Sequence, residues 1–283
     1  MRILFCLLLI IPSLFSLQAQ PSREDIALSE ARYYPLEKKV YYKLGDQQLI
    51  PIRLSRYGNN SKTFCFNMHD NEFTSVQAAR KLLEIQGGYL LKIDNKGQRL
   101  IRFRLKGKQY AFDPNRVFSR TGILQSLREN GPVDSAAVMA VENFGKRLLE
   151  MIPDSIDCVI ALHNNTEGAY SVKSYLPGGD RQKDAREVTA IPGQDEDDIV
   201  FTTDPDIYRA MAAAGYNSIL QHNEKVKQDG SLSVYFGNIN GRYVNVETQH
   251  GRTSQYVEML EQLFLYLSGN NKKSPPEIER DSL

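Results

Sequence analysis

The sequence has 283 residues, of which 41% are hydrophobic and 24% are charged, so the chain can bury a core of ordinary globular size. Its 35 basic and 34 acidic side chains give a formal net charge of +1. This balance creates no strong electrostatic field, which argues against nucleic acid or an acidic membrane surface as a partner.

The first 19 residues have the pattern of a secretory signal peptide. One arginine precedes an apolar run from Ile3 to Phe15, which is too short to span a bilayer comfortably and is interrupted by Pro12. A cut after Ala19 is favoured, and an uncleaved anchor is the alternative. We therefore predict a periplasmic or secreted protein with no stable membrane insertion once residues 1–19 are removed.

Removal of the signal leaves two cysteines, Cys65 and Cys158, each inside an apolar run typical of a strand. Two cysteines do not make a disulfide framework in a chain of this length, so we interpret both as small buried hydrophobic residues. If their strands are neighbours they could pair, and the sequence leaves this open.

The chain begins with a polar leader, residues 20–36, and a predicted hairpin. Apolar and polar residues alternate on both sides of Gly45 and Asp46, as in two antiparallel strands. The run KTFCFNM predicts a further strand that leads directly into His69. From Thr74 the apolar residues recur with helical spacing, and Gly87 marks the end of this predicted helix.

The middle of the chain continues the alternation of strands and helices. GYLLKIDN and QRLIRFRLKGKQYAFDP predict two or three strands, and a helical pattern runs from Ser135 to Met151. IDCVIALHNN, which ends the run near His163, is apolar throughout, as expected for a strand that is covered on both faces.

The last third contains an irregular region, residues 164–198. We interpret its acidic run, Asp195 to Asp198, as a solvated loop in preference to a calcium site. DPDIYRAMAAAG predicts a capped helix, and SLSVYFGNINGRYVNVETQHG predicts a hairpin that turns at Asn240-Gly241. Residues 253–267 form a predicted amphipathic helix, and residues 269–283 a disordered tail.

Strands that alternate with helices predict a single α/β domain over residues 37–268, with a mixed, mostly parallel central sheet flanked by helices. In open sheets of this kind, ligands bind beyond the carboxyl ends of the strands. Both His69 and His163 lie where a predicted strand ends. The sequence therefore places both histidines where a binding site is expected.

A catalytic zinc ion takes three protein ligands from imidazole and carboxylate groups and keeps one open position. His69 and Glu72 lie three residues apart on the predicted turn between a strand and a helix, and His163 could supply the third ligand from another strand. Taken alone, the H-x-x-E pattern is a weak signal because random sequence produces it often.

Four short motifs in one order give the pattern more weight. They are HDNE at 69–72, DPNRVF at 113–118, ALH at 161–163 and VE at 246–247. Their order and rough separations resemble the zinc carboxypeptidase superfamily and, within it, the succinylglutamate desuccinylase and aspartoacylase branch. The resemblance covers residues 64–267 and implies a zinc carboxypeptidase-like fold.

The resemblance also implies a metal centre. His69, Glu72 and His163 would bind one Zn²⁺ per chain. Asp113 would accept the ring N–H of a ligand histidine and so fix its tautomer.

The same resemblance implies the residues that bind and cleave the substrate. Asn115 and Arg116 would bind a substrate carboxylate, for which a planar guanidinium is well suited. Glu247 would be the general base toward a zinc-activated water. Independently, Glu247 lies in a β-prone run, where a carboxylate is costly unless it meets a cation or a donor; the alternative is an edge-strand glutamate that faces water.

Some expected features have no clear match. Familiar carboxypeptidases have another arginine between the first two motifs that polarises the carbonyl; Arg102 and Arg104 are candidates, although alternating strand arginines usually face solvent. Tyr235 and Tyr243 are candidates for the mobile tyrosine, with a structural role favoured for both. His250 could orient the substrate or the base, and a surface role is equally compatible.

These observations predict an exported zinc-dependent hydrolase that cleaves an amide or peptide bond in a carboxylate-bearing substrate. Export favours peptides over N-acyl amino acids, because it places the protein among cell-wall peptides. The alternatives are an N-acyl amino acid deacylase of the desuccinylase/aspartoacylase type, a non-catalytic periplasmic binding protein that retains the fold, and a purely structural protein.

Overall fold

The computed structural model of the protein describes residues 32–60, 62–166 and 170–269. The signal peptide predicted for residues 1–19 and nearly all of the predicted tail lie outside these ranges, as does most of the leader, so all three stay predictions. Within the described ranges, no helix combines the length and the apolar character that a bilayer crossing needs.

Eleven strands are present in the described ranges, and they are numbered in chain order. They are β1 (Pro35–Leu44), β2 (Gln48–Tyr57), β3 (Thr63–Asn67), β4 (Gly88–Ile93), β5 (Ile101–Leu105), β6 (Lys108–Phe112), β7 (Cys158–Asn165), β8 (Ala185–Thr189), β9 (Ile199–Thr202), β10 (Asn217–Gln221) and β11 (Arg242–Gln249).

Six α-helices lie in the same part of the chain. They are α1 (Phe73–Gln86), α2 (Arg120–Asn130), α3 (Ser135–Leu149), α4 (Pro205–Ala213), α5 (Leu232–Asn238) and α6 (Thr253–Leu267). Short 3₁₀ turns, including Pro114–Arg116, Val172–Tyr175 and Gln182–Asp184, connect some of these elements.

Nine strands form one sheet in the spatial order β1-β2-β4-β3-β7-β11-β9-β10-β8, and β5 pairs with β6 in a separate hairpin. The neighbours from β4 to β11 are all parallel, as are β9 and β10. Antiparallel pairing joins β11 to β9 and adds β1, β2 and β8 at the margins. The prediction of one α/β domain with a mixed sheet that is mostly parallel at its centre is therefore confirmed.

Apolar side chains cover both faces of the sheet. Along β7, Val159 and Ala161 belong to one core with α2 and α3, whereas Ile160 and Leu162 belong to the other core with α1 and α6. A strand buried on both faces needs apolar residues at every position, which explains why this run does not alternate. Cys65 and Cys158 are both buried free thiols in the second core, as the interpretation from sequence expected.

The hairpin predicted around Asn240-Gly241 is wrong. Residues 232–238 form helix α5, and β11 pairs with β7 and β9 instead of with the preceding segment. The run from Val234 to Phe236 is β-prone, but Leu232 and Val234 are buried by tertiary packing in the helical form. Over a segment of seven residues this burial outweighs local propensity.

The acidic run at 195–198 is a loop, but the prediction that it is solvated is wrong for its second half. Asp197 and Asp198 are 1% and 2% exposed. Gln249 donates a hydrogen bond to Asp197 at 2.8 Å, and Arg252 lies 3.5 Å from a carboxylate oxygen of Asp198. Partners that are distant in sequence make this burial tolerable, and local composition does not reveal them.

Phe144 tests the core beneath α3. Its side chain is 0% exposed and packs edge-on against Tyr42 at 5.2 Å and Phe112 at 5.8 Å between ring centroids. We expect Phe144→Ala to lower the free energy of unfolding by about 3–5 kcal/mol through lost burial and the remaining cavity. Urea denaturation measures this; Met139→Ala on the same helix, at a side chain that is 59% exposed, is the control and should change little. Equal losses in the two variants would contradict this packing.

Candidate metal centre and adjoining cavity

Three parallel neighbouring strands bring the candidate residues to one edge of the sheet. His69 follows β3, and His163 and Glu247 lie near the carboxyl ends of β7 and β11. Glu247 is the direct Cα partner of His163 across the parallel ladder. Residues far apart in sequence therefore meet because parallel strands place their carboxyl ends on the same side.

His69 and Glu72 occupy the turn between β3 and α1. The backbone N–H of Glu72 donates to the carbonyl oxygen of His69 at 3.1 Å, which closes the turn. Glu72 is the residue immediately before α1, and its side chain makes no capping bond to the helix. Its carboxylate points instead toward His163, and both His69 and Glu72 are almost completely buried.

The ligand atoms of three buried residues face one another. His69 Nδ1 lies 3.0 Å from Glu72 Oε1, His163 Nδ1 lies 2.9 Å from Glu72 Oε2, and the two Nδ1 atoms are 3.2 Å apart. Within the described residues, His69, Glu72 and His163 are the group of histidine, cysteine and acidic side chains that could share one metal ion.

This group fits zinc in both donor type and spacing. Catalytic zinc sites use two imidazoles and one glutamate, and ligand bonds of 2.0–2.1 Å in a tetrahedron place neighbouring donor atoms about 3.3 Å apart. The observed separations of 2.9 to 3.2 Å are close to that value. Two Nδ1 atoms and a carboxylate that converge in a buried space are also well satisfied by a shared cation.

Asp113 holds the outer nitrogen of His69. Its Oδ1 lies 2.7 Å from His69 Nε2, so that nitrogen carries the ring proton and Nδ1 presents a lone pair to the site. The same carboxylate oxygen accepts the backbone N–H of Asn115, and Ser126 accepts the backbone N–H of Asp113. These two bonds fix the position of Asp113 just beyond β6.

The charges of the centre support one another. Burial opposes ionisation of Glu72, but His69 and His163 lower the pKa of its carboxyl well below the ordinary value. Burial likewise lowers the pKa of His69, but Glu72 and Asp113 outweigh it and raise that pKa to about 9. The centre therefore binds positive charge, whether as a proton or as a metal ion.

The structure places an arginine that the motifs did not identify beside this centre. Arg99 lies 2.8 Å from Glu72 Oε1 and 3.2 Å from Asp113 Oδ2, and it lines the adjoining cavity. Arg102 and Arg104, the sequence candidates, are exposed in β5 and do not line that cavity. Arg99 does fall between the first two motifs, but it lies in an irregular loop where no periodic pattern marks it.

A cavity of about 360 Å³ opens next to the metal-binding group. Its lining is mainly polar and combines both signs of charge with aromatic side chains. The residues that the following paragraphs use are Glu72, Arg99, Asn115, Arg116, His163, Tyr170, Arg181, Phe201, Asp229, Tyr243, Asn245 and Glu247.

Asn115 and Arg116 both line this cavity, and both already have protein partners. Asn115 Oδ1 accepts the backbone N–H of Leu232 at 3.0 Å, while its Nδ2 lies 3.5 Å from His163 Nε2. Arg116 donates to the backbone carbonyl of Asn115 and lies 3.4 Å from an oxygen of Asp229. The guanidinium is 29% exposed, so part of it faces the cavity.

Glu247 faces the cavity from β11. Asn245 Nδ2 donates to Glu247 Oε1 at 2.7 Å. Burial raises the pKa of Glu247 above its usual value, and the charges of His163 and the bond from Asn245 oppose this shift. A carboxyl with a raised pKa is suited to accept and return a proton near neutral pH.

The remaining sequence candidates lie elsewhere or have structural contacts. Tyr243 is buried and stacks on Phe236, and Tyr235 packs against Phe118, as a structural role predicts. His250 is exposed on the turn after β11 and does not line the cavity. Tyr170, which the sequence analysis did not select, lines the cavity and hydrogen-bonds through its hydroxyl to Tyr175.

A scan against family models and a search of curated proteins each find no match to this chain. Several solved structures are similar to it. An aspartoacylase family protein from Mesorhizobium loti is 13% identical, with 83% of this chain and 67% of that chain covered and a TM-score of 0.42. A succinylglutamate desuccinylase/aspartoacylase from Rhodobacter sphaeroides is 10% identical, covers 82% and 65%, and has a TM-score of 0.42.

Thrombin activatable fibrinolysis inhibitor is 9% identical to this chain, covers 83% of it and 72% of its own length, and has a TM-score of 0.45. The branch that the four sequence motifs resemble is thus present among these structures. The activity proposed below is argued from the site's own geometry.

Zinc content tests the metal centre directly. We expect the purified protein, after exposure to zinc and removal of loosely bound ions, to retain about one zinc per chain by elemental analysis. His163→Ala removes one of three ligands and should sharply reduce this content. His222→Ala changes a histidine outside the metal centre and should retain it. A wild-type protein without zinc, or a His163→Ala variant with full content, would contradict the assignment.

Proposed function

We propose that the protein is an exported zinc-dependent hydrolase that cleaves an amide or peptide bond in a carboxylate-bearing substrate. The observation that carries this proposal is the buried group of two imidazoles and one carboxylate, with a second carboxylate, Glu247, on the strand position next to His163. The exported location rests on the signal-like pattern of residues 1–19.

His69, Glu72 and His163 would hold the ion. Zinc supplies a Lewis acid that polarises a carbonyl group and lowers the pKa of a water molecule. With that chemistry available, no side chain of this protein has to act as the nucleophile. The chain's own residues have to orient the substrate and move protons.

Glu247 is suited to the proton transfers. Its partly buried carboxylate is held at one oxygen by Asn245, which leaves the other oxygen free to accept a proton from the attacking water. The same group would then return a proton to the leaving amine. The raised pKa of Glu247 supports both steps, because a weakly acidic carboxyl holds a proton longer than an exposed one.

Arg116 and Arg99 would bind the two oxygen-bearing parts of the substrate. Arg116, with Asn115 beside it, faces the cavity and can bind a carboxylate through its planar fork. Arg99 lines the same cavity next to Glu72, so we assign to it the contact with the scissile carbonyl oxygen. This assignment replaces Arg102 and Arg104 in that role.

Two related substrates fit this site. A peptide is favoured over an N-acyl amino acid because export would place the enzyme among cell-wall peptides. A non-catalytic binding protein would not need a proton acceptor beside the metal, and the ladder pairing of Glu247 with His163 therefore favours a hydrolase. Screening against peptides and N-acyl amino acids, with and without a chelator, separates these functions.

The role of Glu247 is tested by Glu247→Gln. The amide keeps the size of the side chain but cannot accept the proton, so we expect turnover to fall by at least about 100-fold with zinc content unchanged. Initial-rate kinetics and elemental analysis measure the two effects. Glu224→Gln, an exposed glutamate away from this cavity, is the matched control. Full activity in Glu247→Gln would reject Glu247 as the base.

The carboxylate requirement is tested by Arg116→Met. The wild type should prefer a substrate with a free carboxylate over its neutral amide, and the variant should lose roughly 10- to 100-fold in kcat/KM for the carboxylate form only. Arg120→Met, at an exposed guanidinium four residues away, serves as the control. The assignment fails if the neutral form loses as much as the carboxylate form.

A further inference from the structure

Asn245 has an unusual environment for a buried amide. Its side chain is on the same face of β11 as Glu247, lines the cavity and belongs to a residue that is only 6% exposed. Its Nδ2 donates to Glu247, but its Oδ1 has no hydrogen-bond partner among the described residues. A buried carbonyl oxygen without a donor is costly, so its retention beside a cavity points to a donor that arrives with a ligand.

The orientation of this amide is set by its neighbour. If the two ends of the amide were exchanged, Oδ1 would face an oxygen of the Glu247 carboxylate, and two acceptors would meet. The nitrogen therefore belongs beside the carboxylate, and the oxygen is directed away from it. The side chains of the flanking strands offer no alternative donor, because the Cα partners of Asn245 are Ala161 in β7 and Phe201 in β9.

The position of Asn245 along β11 indicates which part of the substrate it meets. His163 is level with Glu247, whereas Asn245 lies two residues earlier, about 7 Å farther from the carboxyl edge of the sheet. A substrate that places its scissile carbonyl at the metal centre and its leaving amine at Glu247 continues in this direction. The group beside Asn245 thus belongs to the residue on the amine side of the cleaved bond.

We propose that Asn245 has two tasks in the cavity: its amide nitrogen orients Glu247, and its amide oxygen accepts a hydrogen bond from the side chain of the substrate's amine-side residue. The inference rests on the proposed hydrolase function and narrows its substrate class. The preferred substrates carry a hydrogen-bond donor on that residue, such as an amide N–H, in place of an apolar side chain.

The neighbouring side chains suit a polar group. Arg181 also lines the cavity, with its guanidinium over the ring of Tyr170 at 5.0 Å from the centroid. Tyr170 in turn shares a hydrogen bond with Tyr175, and one hydroxyl proton of that pair is left for another acceptor. An amide side chain can use both kinds of partner, since it donates through nitrogen and accepts through oxygen.

Two pairs of near-isosteric substrates test the preference. They carry asparagine or leucine, and glutamine or methionine, as the amine-side residue, and they are otherwise identical. We expect the wild type to favour the amide member of at least one pair by roughly 10-fold or more in kcat/KM, because the apolar member leaves the buried oxygen unpaired. No preference in either pair would overturn the inference.

Two variants separate the tasks of Asn245. Asn245→Leu removes donor and acceptor, so kcat should fall by roughly 10-fold or more for every substrate and the amide preference should disappear. Asn245→Asp keeps an acceptor but loses the donor to Glu247, so kcat should fall while the preference remains. A merely structural role predicts a lower stability with the preference unchanged in Asn245→Leu, which would also overturn the proposal.

Controls keep the outcome readable. Asn238→Leu, at an exposed asparagine of α5 outside this cavity, should leave both kcat and the preference unchanged. Calorimetry of the zinc-loaded protein with free asparagine, leucine, glutamine and methionine tests the same preference without turnover. If the wild type cleaves nothing but binds the amide member of a pair more tightly, the proposed function fails and this inference stands; equal or absent binding together with no cleavage rejects the inference as well.

Discussion

The convergence of two imidazole nitrogens on one buried carboxylate is the constraint on which the rest of this site depends. Glu72 is 1% exposed, and its two oxygens lie 3.0 and 2.9 Å from the Nδ1 atoms of His69 and His163. A carboxylate in such a place is stable only with positive charge beside it. Asp113 adds a second negative group through His69, and Arg99 contacts both carboxylates, so the arrangement is balanced around a cation.

The sheet makes this convergence possible. β3, β7 and β11 are adjacent and parallel, so the residues at their carboxyl ends meet although they are far apart in sequence. The same alignment places Glu247 level with His163, and the alternation of side chains puts Asn245 on the cavity face of β11 two positions earlier. Metal binding, proton transfer and recognition of the substrate are thereby assigned to positions along three neighbouring strands.

The sequence predicted the elements whose pattern is local and regular. The antiparallel hairpin β1–β2, the helix from Thr253 to Leu267 and the fully apolar strand β7 all follow from spacing and composition. Helix α5 could not be read in this way, because its β-prone residues become helical through packing. The burial of Asp198 likewise depends on Arg252, a partner 54 residues away.

The site shows the same division. His69, Glu72, His163 and Glu247 were selected because their motifs occur in a recognisable order, and the structure brings them together. Arg99 lies in an irregular loop, and the unpaired oxygen of Asn245 becomes visible only when the surrounding strands are in place. Motif order can identify residues that bind an ion, whereas the side chains that shape the cavity depend on three-dimensional contacts.

The most direct test of the central claim is a crystal structure of the zinc-loaded protein, with anomalous diffraction recorded on both sides of the zinc absorption edge. The account predicts one zinc ion bound by Nδ1 of His69, Nδ1 of His163 and the carboxylate of Glu72, at bond lengths of about 2.0–2.2 Å. An anomalous peak at other residues, or no peak between these three side chains, would contradict it.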